Sequence, residues 1–468
     1  MITIFVRGLI TLLLRLYFRR IERFHPERVP ASGPVLFVSN HPGSITDAFI
    51  VGTSVPRLVH FVATVQLFKS TALASFLRRC GVIPINRKAD DPRAMRSVAA
   101  TFEACYDVLE HDGAVGIFPE GLSYDDSQLK EVKSGAARMA IELESRHNGT
   151  LGLRIAPVGL TYSAKERYRS DVLVHFGEPI DVARHLPAQN SDRKSAIHAL
   201  TALIEQRLRA LIVDLPDLEH QRIVAAVKRL YRDKLRLGNL LIKESLAPQA
   251  EDLVLTQQIS QGLRFFEKNF PERYSSFVDH LHRYERRLEQ FGVSDETIEH
   301  LESRHPVARN VGATARIVAL APIAFYGWVH RIVPALLVEW AVGHFTHKGL
   351  RKAQTAHASM LAGLVGFTLF YGACIAAVDA LLGWHVALWY AVSLPVAGLI
   401  AHLHLQWMRE EAADLRAATL LHRLPLAKRV LVTMRERLID ELTELRAEYR
   451  RSALGVTPEP VQEVAPLA

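Results

Sequence analysis

The sequence predicts an α/β fold: a mixed β-sheet flanked by helices, with an N-terminal interfacial helix and an α-helical C-terminal region containing a membrane hairpin. Three observations carry this expectation. Between Pro34 and Gly177, short runs rich in valine and isoleucine alternate with longer segments whose apolar residues fall at helical spacing. The first twenty residues are apolar except for a polar position that recurs every four. Near the C-terminus, two long uncharged stretches are separated by a few residues only.

The N-terminal segment MITIFVRGLITLLLRLYFRR carries Arg7, Thr11, Arg15 and Arg19 as one slowly drifting stripe. An apolar helix with an arginine stripe suits a membrane interface, its cations near lipid phosphates. A secretory signal is the competing reading, but Arg15 interrupts the apolar stretch and no small-x-small cleavage site follows. Residues 1–30 are therefore read as a retained membrane-associated helix.

Residues 31–195 form the expected α/β domain. PVLFVSN, RLVHFVA, GVIPIN, GAVGIFP, LRIAPVGLTY and DVLVHFG each have strand length, and DPRAMRSVAATFEACYDVLEHD has helical periodicity. Gly177-Glu178-Pro179 and the polar stretch around Pro187–Arg193 mark its end. Residues 196–310 are helical and highly charged, which fits solvated faces of packed helices. Their basic clusters lack the aromatic interleaving or fold motif of a nucleic-acid binder, so no nucleic-acid partner is expected.

Residues 311–405 carry the membrane signal. Met360–Val378 and Val386–Ala401 approach the length that crosses a hydrocarbon core about 30 Å thick, and Gly383-Trp384-His385 permits only a turn between them. Arg351 and Lys352 precede this hairpin; Arg409, Arg416, Arg423, Lys428 and Arg429 follow it, which predicts both ends on the cytoplasmic side. Ile317–Val342 is apolar but has His330 and Arg331 at its middle, so a re-entrant, an interfacial and a soluble core helix all remain open. Cytoplasmic helices are expected over 406–454, and a proline-containing disordered tail over 455–468.

Composition narrows the class. The 468 residues suffice for two or three domains, and 49% are hydrophobic, high for a soluble protein and low for a multi-span transporter. A net charge of +8 favours anionic partners such as phosphates or acidic lipid headgroups. Three scattered cysteines imply neither a disulfide framework nor a metal site, and a reducing compartment.

Four stretches could carry chemistry. In VSNHPGSITD, residues 38–47, Pro42 disfavours the helical region for His41 and holds it extended at a strand's end. Gly43 permits a sharp turn and Ser44 fits a helix N-cap, with Asp47 at the capping-box spacing. Asp47 either caps that helix or reaches back to His41, fixing its tautomer and leaving the other ring nitrogen as a base. In GVIPINR, Arg87 places a cation after an edge strand, where a surface arginine is the plain alternative. In FPEG, Glu120 points from a loop after Pro119, and Lys133 with the amides of the next helix start could hold an anion. In IAPVGLTY, Pro157 suits an edge strand or a bulge.

Together, and in this order, these four stretches resemble the motifs of the glycerophospholipid acyltransferase family, which includes lysophosphatidate and glycerol-3-phosphate acyltransferases. The resemblance covers roughly residues 30–190. The commoner first motif has four residues between histidine and aspartate; here Pro42–Thr46 makes five. The commoner third motif continues Thr-Arg-Ser, whereas Leu122-Ser123 follow here. Both departures, with Lys133-Ser134-Gly135, resemble a subgroup that includes fungal glycerol-3-phosphate acyltransferases.

The resemblance implies acyl transfer from acyl-CoA or acyl carrier protein, as cosubstrate rather than cofactor, to the hydroxyl of glycerol-3-phosphate or 1-acylglycerol-3-phosphate at the membrane. It implies His41 as base and Asp47 as its orienting carboxylate. Backbone N–H groups of the Pro42–Ser44 turn are candidate oxyanion donors, which brings Ser44 to the substrate. Arg87 would hold the acceptor phosphate with Lys133 assisting, and Glu120, Gly121 and Pro157 would line the acceptor site. No cysteine lies in a motif and no G-x-S-x-G elbow occurs, so no protein nucleophile is expected. A membrane-bound hydrolase is the alternative, but the pairs His280/His282 and His402/His404 are two apart and do not share a helix face. A non-catalytic lipid-binding scaffold is the third reading, which the His41/Asp47 pair argues against. Arg87→Ala should mainly raise KM for the phosphorylated acceptor. An unchanged KM in steady-state assays would move phosphate recognition elsewhere.

Overall fold

A computed structural model describes residues 2–68, 70–85, 95–121, 128–163, 168–187, 192–213, 218–239, 248–302, 306–347 and 355–454. Arg87, Arg351, Lys352 and the tail 455–468 lie outside them. The chain forms two compact units. One comprises Met1–Asp214 with Ala247–Leu253 and Val338–Val365; the other comprises Leu215–Leu246, Val254–Leu337 and Gly366–Ala468.

The first unit is built on an eight-stranded mixed sheet. Its strands are β1 (Arg20–Phe24), β2 (Val35–Ser39), β3 (Val59–Thr64), β4 (Ile83–Ile85), β5 (Ala114–Ile117), β6 (Arg154–Tyr162), β7 (Asp171–Phe176) and β8 (Ile180–Asp181). The order is β1-β7-β6-β2-β5-β3-β4, with β8 also paired to β6. All neighbours are parallel except β7 and β8, which run antiparallel to β6.

Helices cover both faces, which is why β2 reads as one continuous apolar run. Val35 and Phe37 pack with Leu14, Phe18, Ile50 and Val51, on α1 (Ile2–Tyr17), the residue after it and α2 (Ile45–Ser54). Leu36 and Val38 pack with α4 (Met95–Glu110), α5 (Gly135–Arg146) and α6 (Arg193–Leu211) through residues such as Tyr106, Ile141 and Ile204. The remaining helix of this part is α3 (Thr71–Arg79).

Several expectations are corrected here. The interfacial helix ends at Tyr17, and RIERF continues as β1, paired in parallel with β7. Its charged residues hide the strand signal, and pairing with buried β7 supplies it. The arginine stripe does not form one lipid-facing row. Arg7 donates to the carbonyls of Val55 and Arg57 just beyond α2, and Arg19 pairs with Asp171 on β7. The exposed surface of α1 is instead largely apolar, formed by Ile4, Phe5, Leu9, Leu12 and Leu16. Gly177-Glu178-Pro179 is the break between β7 and β8 rather than the end of the domain, which runs on through α6 past residue 195.

Pro157 is not on an edge strand; it lies opposite a one-residue bulge, where the register against β6 shifts between Val158↔Phe176 and Ile155↔Ile180. It sits inside β6, in register with Val38 of β2. Its carbonyl accepts from the Gly177 N–H at 2.9 Å, so its backbone faces the gap between β7 and β8. No ladder donor is needed there, so a residue without an N–H costs nothing.

The second unit is helical: α7 (Leu218–Asn239), most of α8 (Pro248–Asn269), α9 (Pro271–Phe291), α10 (Asp295–Glu302), most of α11 (Pro306–His347) and α12 (Thr355–Leu382), then α13 (Trp384–Arg423) and α14 (Pro425–Leu454). The final helix packs against α7, α9 and α10. Tyr231 Oη donates to Thr443 Oγ1 at 3.1 Å, and Arg435 donates to buried Asp295 at 3.2 Å. Among the described residues, three segments are long and apolar enough to cross a membrane: Ala315–Ala341, Val365–Leu382 and Trp384–Arg409. The last two are joined by Gly383 alone, as the expected hairpin requires. Ala315–Ala341 belongs to one continuous helix despite Pro322 and Pro334.

Candidate active site

The site lies at the carboxyl ends of β2 and β5, which are neighbours in the sheet. The chain leaves β2 for α2 on one face and later follows β5 with α5 on the other. Divergence of adjacent connections opens a crevice at the strand ends, where α/β sheets bind ligands. Two of the four sequence motifs leave the sheet at this crevice.

His41 follows β2 directly. Its Nδ1 donates to Asp47 Oδ2 at 2.9 Å, which fixes the tautomer and leaves the Nε2 lone pair available as a base. Among the described residues, nothing hydrogen-bonds Nε2. Phe118, directly after β5, stacks on the imidazole with ring centres 3.9 Å apart and planes at 13°. The histidine side chain keeps 18% of its surface exposed, whereas Asp47 keeps none. A reactive ring is thus reachable while its partner is sealed from water.

The turn between them differs from the expected capping box. Ser44 has φ +58° and ψ −134° and makes no side-chain capping bond, a left-handed conformation that strains a residue with a Cβ. Asp47 Oδ2 takes the Gly43 N–H at 2.7 Å. That amide is therefore committed to the carboxylate rather than to an oxyanion, and Pro42 has no N–H to offer. The turn serves Asp47 first.

Glu120 is in a turn, as expected, but it is buried. Its Oε1 accepts the His41 backbone N–H at 2.8 Å, and its Oε2 accepts the Lys130 N–H at 3.3 Å. It braces His41 to the segment before α5. Burial pushes its carboxyl above the ordinary 4.5, and the two N–H donors pull it partly back. Gly121 has φ +74°, and a Cβ there would stand 2.7 Å from Lys133 Nζ. Glycine thus serves both the turn and the approach of that ammonium. Lys133 itself is exposed, and its N–H donates to the Pro119 carbonyl at 3.0 Å.

Of the residues the sequence picks out, His41, Asp47 and Glu120 are joined by direct bonds, and Gly121 and Lys133 adjoin them. Pro157 is a buried strand residue, and Arg87 lies outside the described residues. Asn40 belongs to the first motif, but the sequence assigns it no role, and Tyr162 escapes sequence reasoning. Asn40 clamps β2 to β6: its Nδ2 donates to the Leu160 carbonyl and its Oδ1 accepts the Leu160 N–H, at 3.0 and 2.7 Å. Tyr162, the last residue of β6, donates through Oη to Asp47 Oδ1. Alternation along β6 puts Tyr162 on the face of Val158 and Leu160, the face α2 covers. That was its only signal.

Burial pushes the Cys105 thiol up to about 12, so it holds no thiolate at neutral pH. Among the described residues, no three His, Cys, Asp or Glu side chains are grouped so as to hold a metal ion.

Residues 20–161 match the Acyltransferase family model. The chain is 26% identical over 219 residues to "Glycerol-3-phosphate O-acyltransferase 1" of Saccharomyces cerevisiae, covering 46% of this chain and 27% of that protein. It is 25% identical over 195 residues to "1-acyl-sn-glycerol-3-phosphate acyltransferase" of Bacillus subtilis, covering 41% of this chain and 87% of that protein. The matched segment thus spans only about a quarter of the yeast relative's length. Among solved structures, the 1-acyl-sn-glycerophosphate acyltransferase of Thermotoga maritima aligns with 17% identity and a TM-score of 0.30, covering 42% of this chain and 78% of that one.

Glu120 sets a pH test. Its raised value in the fold means that ionisation opposes folding, so its contribution is greatest below about pH 4.5 and is lost as pH rises through the raised value. The wild-type advantage in melting temperature over Glu120→Gln should shrink between about pH 4 and about pH 7. An advantage that grows over that range would overturn the assignment. The match, over a sheet whose strand ends join histidine to carboxylate, makes residues 20–161 an acyltransferase-family domain.

Proposed function

We propose that the protein is a membrane-associated O-acyltransferase. It moves a fatty acyl group from acyl-CoA or acyl carrier protein to glycerol-3-phosphate or 1-acylglycerol-3-phosphate. One observation carries this reading: His41 Nδ1 is bonded to a sealed carboxylate while Nε2 has no partner among the described residues. A glycerol hydroxyl is a poor nucleophile at neutral pH and must lose its proton as it attacks. Nε2 takes that proton while the hydroxyl oxygen bonds to the thioester carbonyl carbon. The tetrahedral intermediate then collapses, the C–S bond breaks, and the departing thiolate takes the proton from imidazolium. Asp47 stabilises the transient cation and does not itself take up the proton. Lys133, exposed beside Gly121, offers a cation for the acceptor phosphate, with Arg87 as its expected partner.

His41→Ala and Asp47→Ala should each lower kcat by about 10²–10⁴-fold with the protein still folded. Near-normal turnover of purified His41→Ala, with products resolved by mass across a panel of acceptors, would refute the base.

Packing in the second unit supports one membrane arrangement. Helices before α11 and the helix after α13 lie side by side, tied by Tyr231–Thr443, His280–Glu441 and Arg435–Asp295. A bilayer cannot separate them, so the chain enters and leaves on one side and makes an even number of crossings. Three apolar segments then cannot each cross once. We assign the crossing pair to α12 and α13. Gly383 alone joins these two helices, which makes them the hairpin and leaves the chain before α12 on the entry side. Cations on the chain flanking the hairpin favour the cytoplasmic side for the catalytic domain. In a cysteine-free background, His344→Cys should be labelled from the cytoplasmic side and Trp384→Cys from the opposite side. Labelling of His344→Cys from the outer side would make α11 a crossing helix instead.

A further inference from the structure

We propose that Tyr162 is a positioning residue for the acyl-transfer reaction, holding the Asp47 carboxylate in the one orientation that serves His41. The inference rests on the acyltransferase reading and adds to it a residue from a different strand.

A carboxylate on a helix turns readily about its last bond, and a single hydrogen bond to imidazole does not stop it. Here each oxygen has its own holder. Oδ2 takes the His41 Nδ1–H at 2.9 Å and the Gly43 N–H at 2.7 Å. Oδ1 takes the Tyr162 Oη–H at 2.5 Å. Two donors come from the turn between β2 and α2, and the third from the end of β6. Rotation of the carboxylate would break all three bonds together.

The phenol suits this task. It is a donor of fixed reach on a ring that packs beside Phe18, with centroids 5.9 Å apart. Burial, and after it the negative charge of Asp47, push its ionisation well above the ordinary value of 10, so it remains a donor throughout the working range. Its place is also fixed. Two residues earlier, Leu160 is bonded through both its N–H and its carbonyl to the Asn40 side chain. The strand that carries Tyr162 is thereby clamped to the strand that carries His41.

Gly43 gives independent support. A Cβ there would stand 2.6 Å from Asp47 Oδ1 and 2.8 Å from Tyr162 Oη. Only a residue without a side chain lets the turn pass this closely over the phenol–carboxylate pair. The glycine of the turn is thus explained by the closeness of the carboxylate and the phenol together.

Tyr162→Phe removes the hydroxyl and keeps the ring. Hydrogen bonds to charged groups have a size that predicts a loss in kcat of about tenfold or more, with KM for donor and acceptor unchanged within about twofold. In an Asp47→Ala background the same substitution should bring no further loss, because the group it positions is gone. Gly43→Ala, whose Cβ would press on both Asp47 Oδ1 and Tyr162 Oη, should also lower kcat in the wild type; this second route does not depend on how well the phenylalanine variant folds. Wild-type kcat in Tyr162→Phe, or an equal fold-loss in the wild-type and Asp47→Ala backgrounds, would overturn the proposal. Full activity of His41→Ala or Asp47→Ala would instead overturn the acyltransferase base itself, so the two failures are distinguishable.

Discussion

The structure depends on one buried carboxylate. Asp47 has no exposed surface, yet it meets three donors from two separate stretches of chain. Burying a carboxylate is costly unless its oxygens are satisfied, and here that satisfaction is what builds the site. The turn after β2 must bend so that the Gly43 amide faces inward, which forces Ser44 into a left-handed conformation. The end of β6 must come close enough for a phenol to reach. The histidine must sit extended rather than begin the helix. Each of these local choices is unfavourable or indifferent alone, and the shared carboxylate makes them consistent.

A second carboxylate does the same for the opposite wall. Glu120 receives one N–H from His41 and another from Lys130, so the chain after β5 is bound to the chain after β2 and to the approach to α5. Phe118 from the same turn covers the imidazole face. The site is therefore a junction between two diverging loops, pinned by acids that accept main-chain donors. Charge in this crevice is spent on geometry as well as on chemistry.

Much of this was legible in the sequence. The runs that became β2 to β7 are apolar because helices cover both faces, so composition alone located them. The closeness of His41 and Asp47 followed from Pro42 and Gly43, which forbid a continuous helix between them. What could not be read depends on pairing between distant segments. RIERF looks like the end of a helix until β7 lies beside it. Pro157 looks like an edge residue until the break at Gly177 is placed opposite its missing N–H. Ser44 fits a cap by type and spacing, but the carboxylate that would complete the box is engaged elsewhere. Tyr162 is a strand residue like any other until the register of β6 against β2 brings it to α2.

The contact between α1 and α2 has a mechanical meaning. Arg7 grips the Val55 and Arg57 carbonyls just past the end of α2, while Asp47 sits near that helix's start. The two points are about 12 Å apart along the helix, at 1.5 Å per residue. The exposed side of α1 is the apolar one, carrying Phe5, Leu9, Leu12 and Leu16. Whatever seats that side also sets the height of the Asp47 carboxylate, through a rigid strut of two helical turns. That strut makes α1 a fixed-depth gauge for the His41–Asp47 pair.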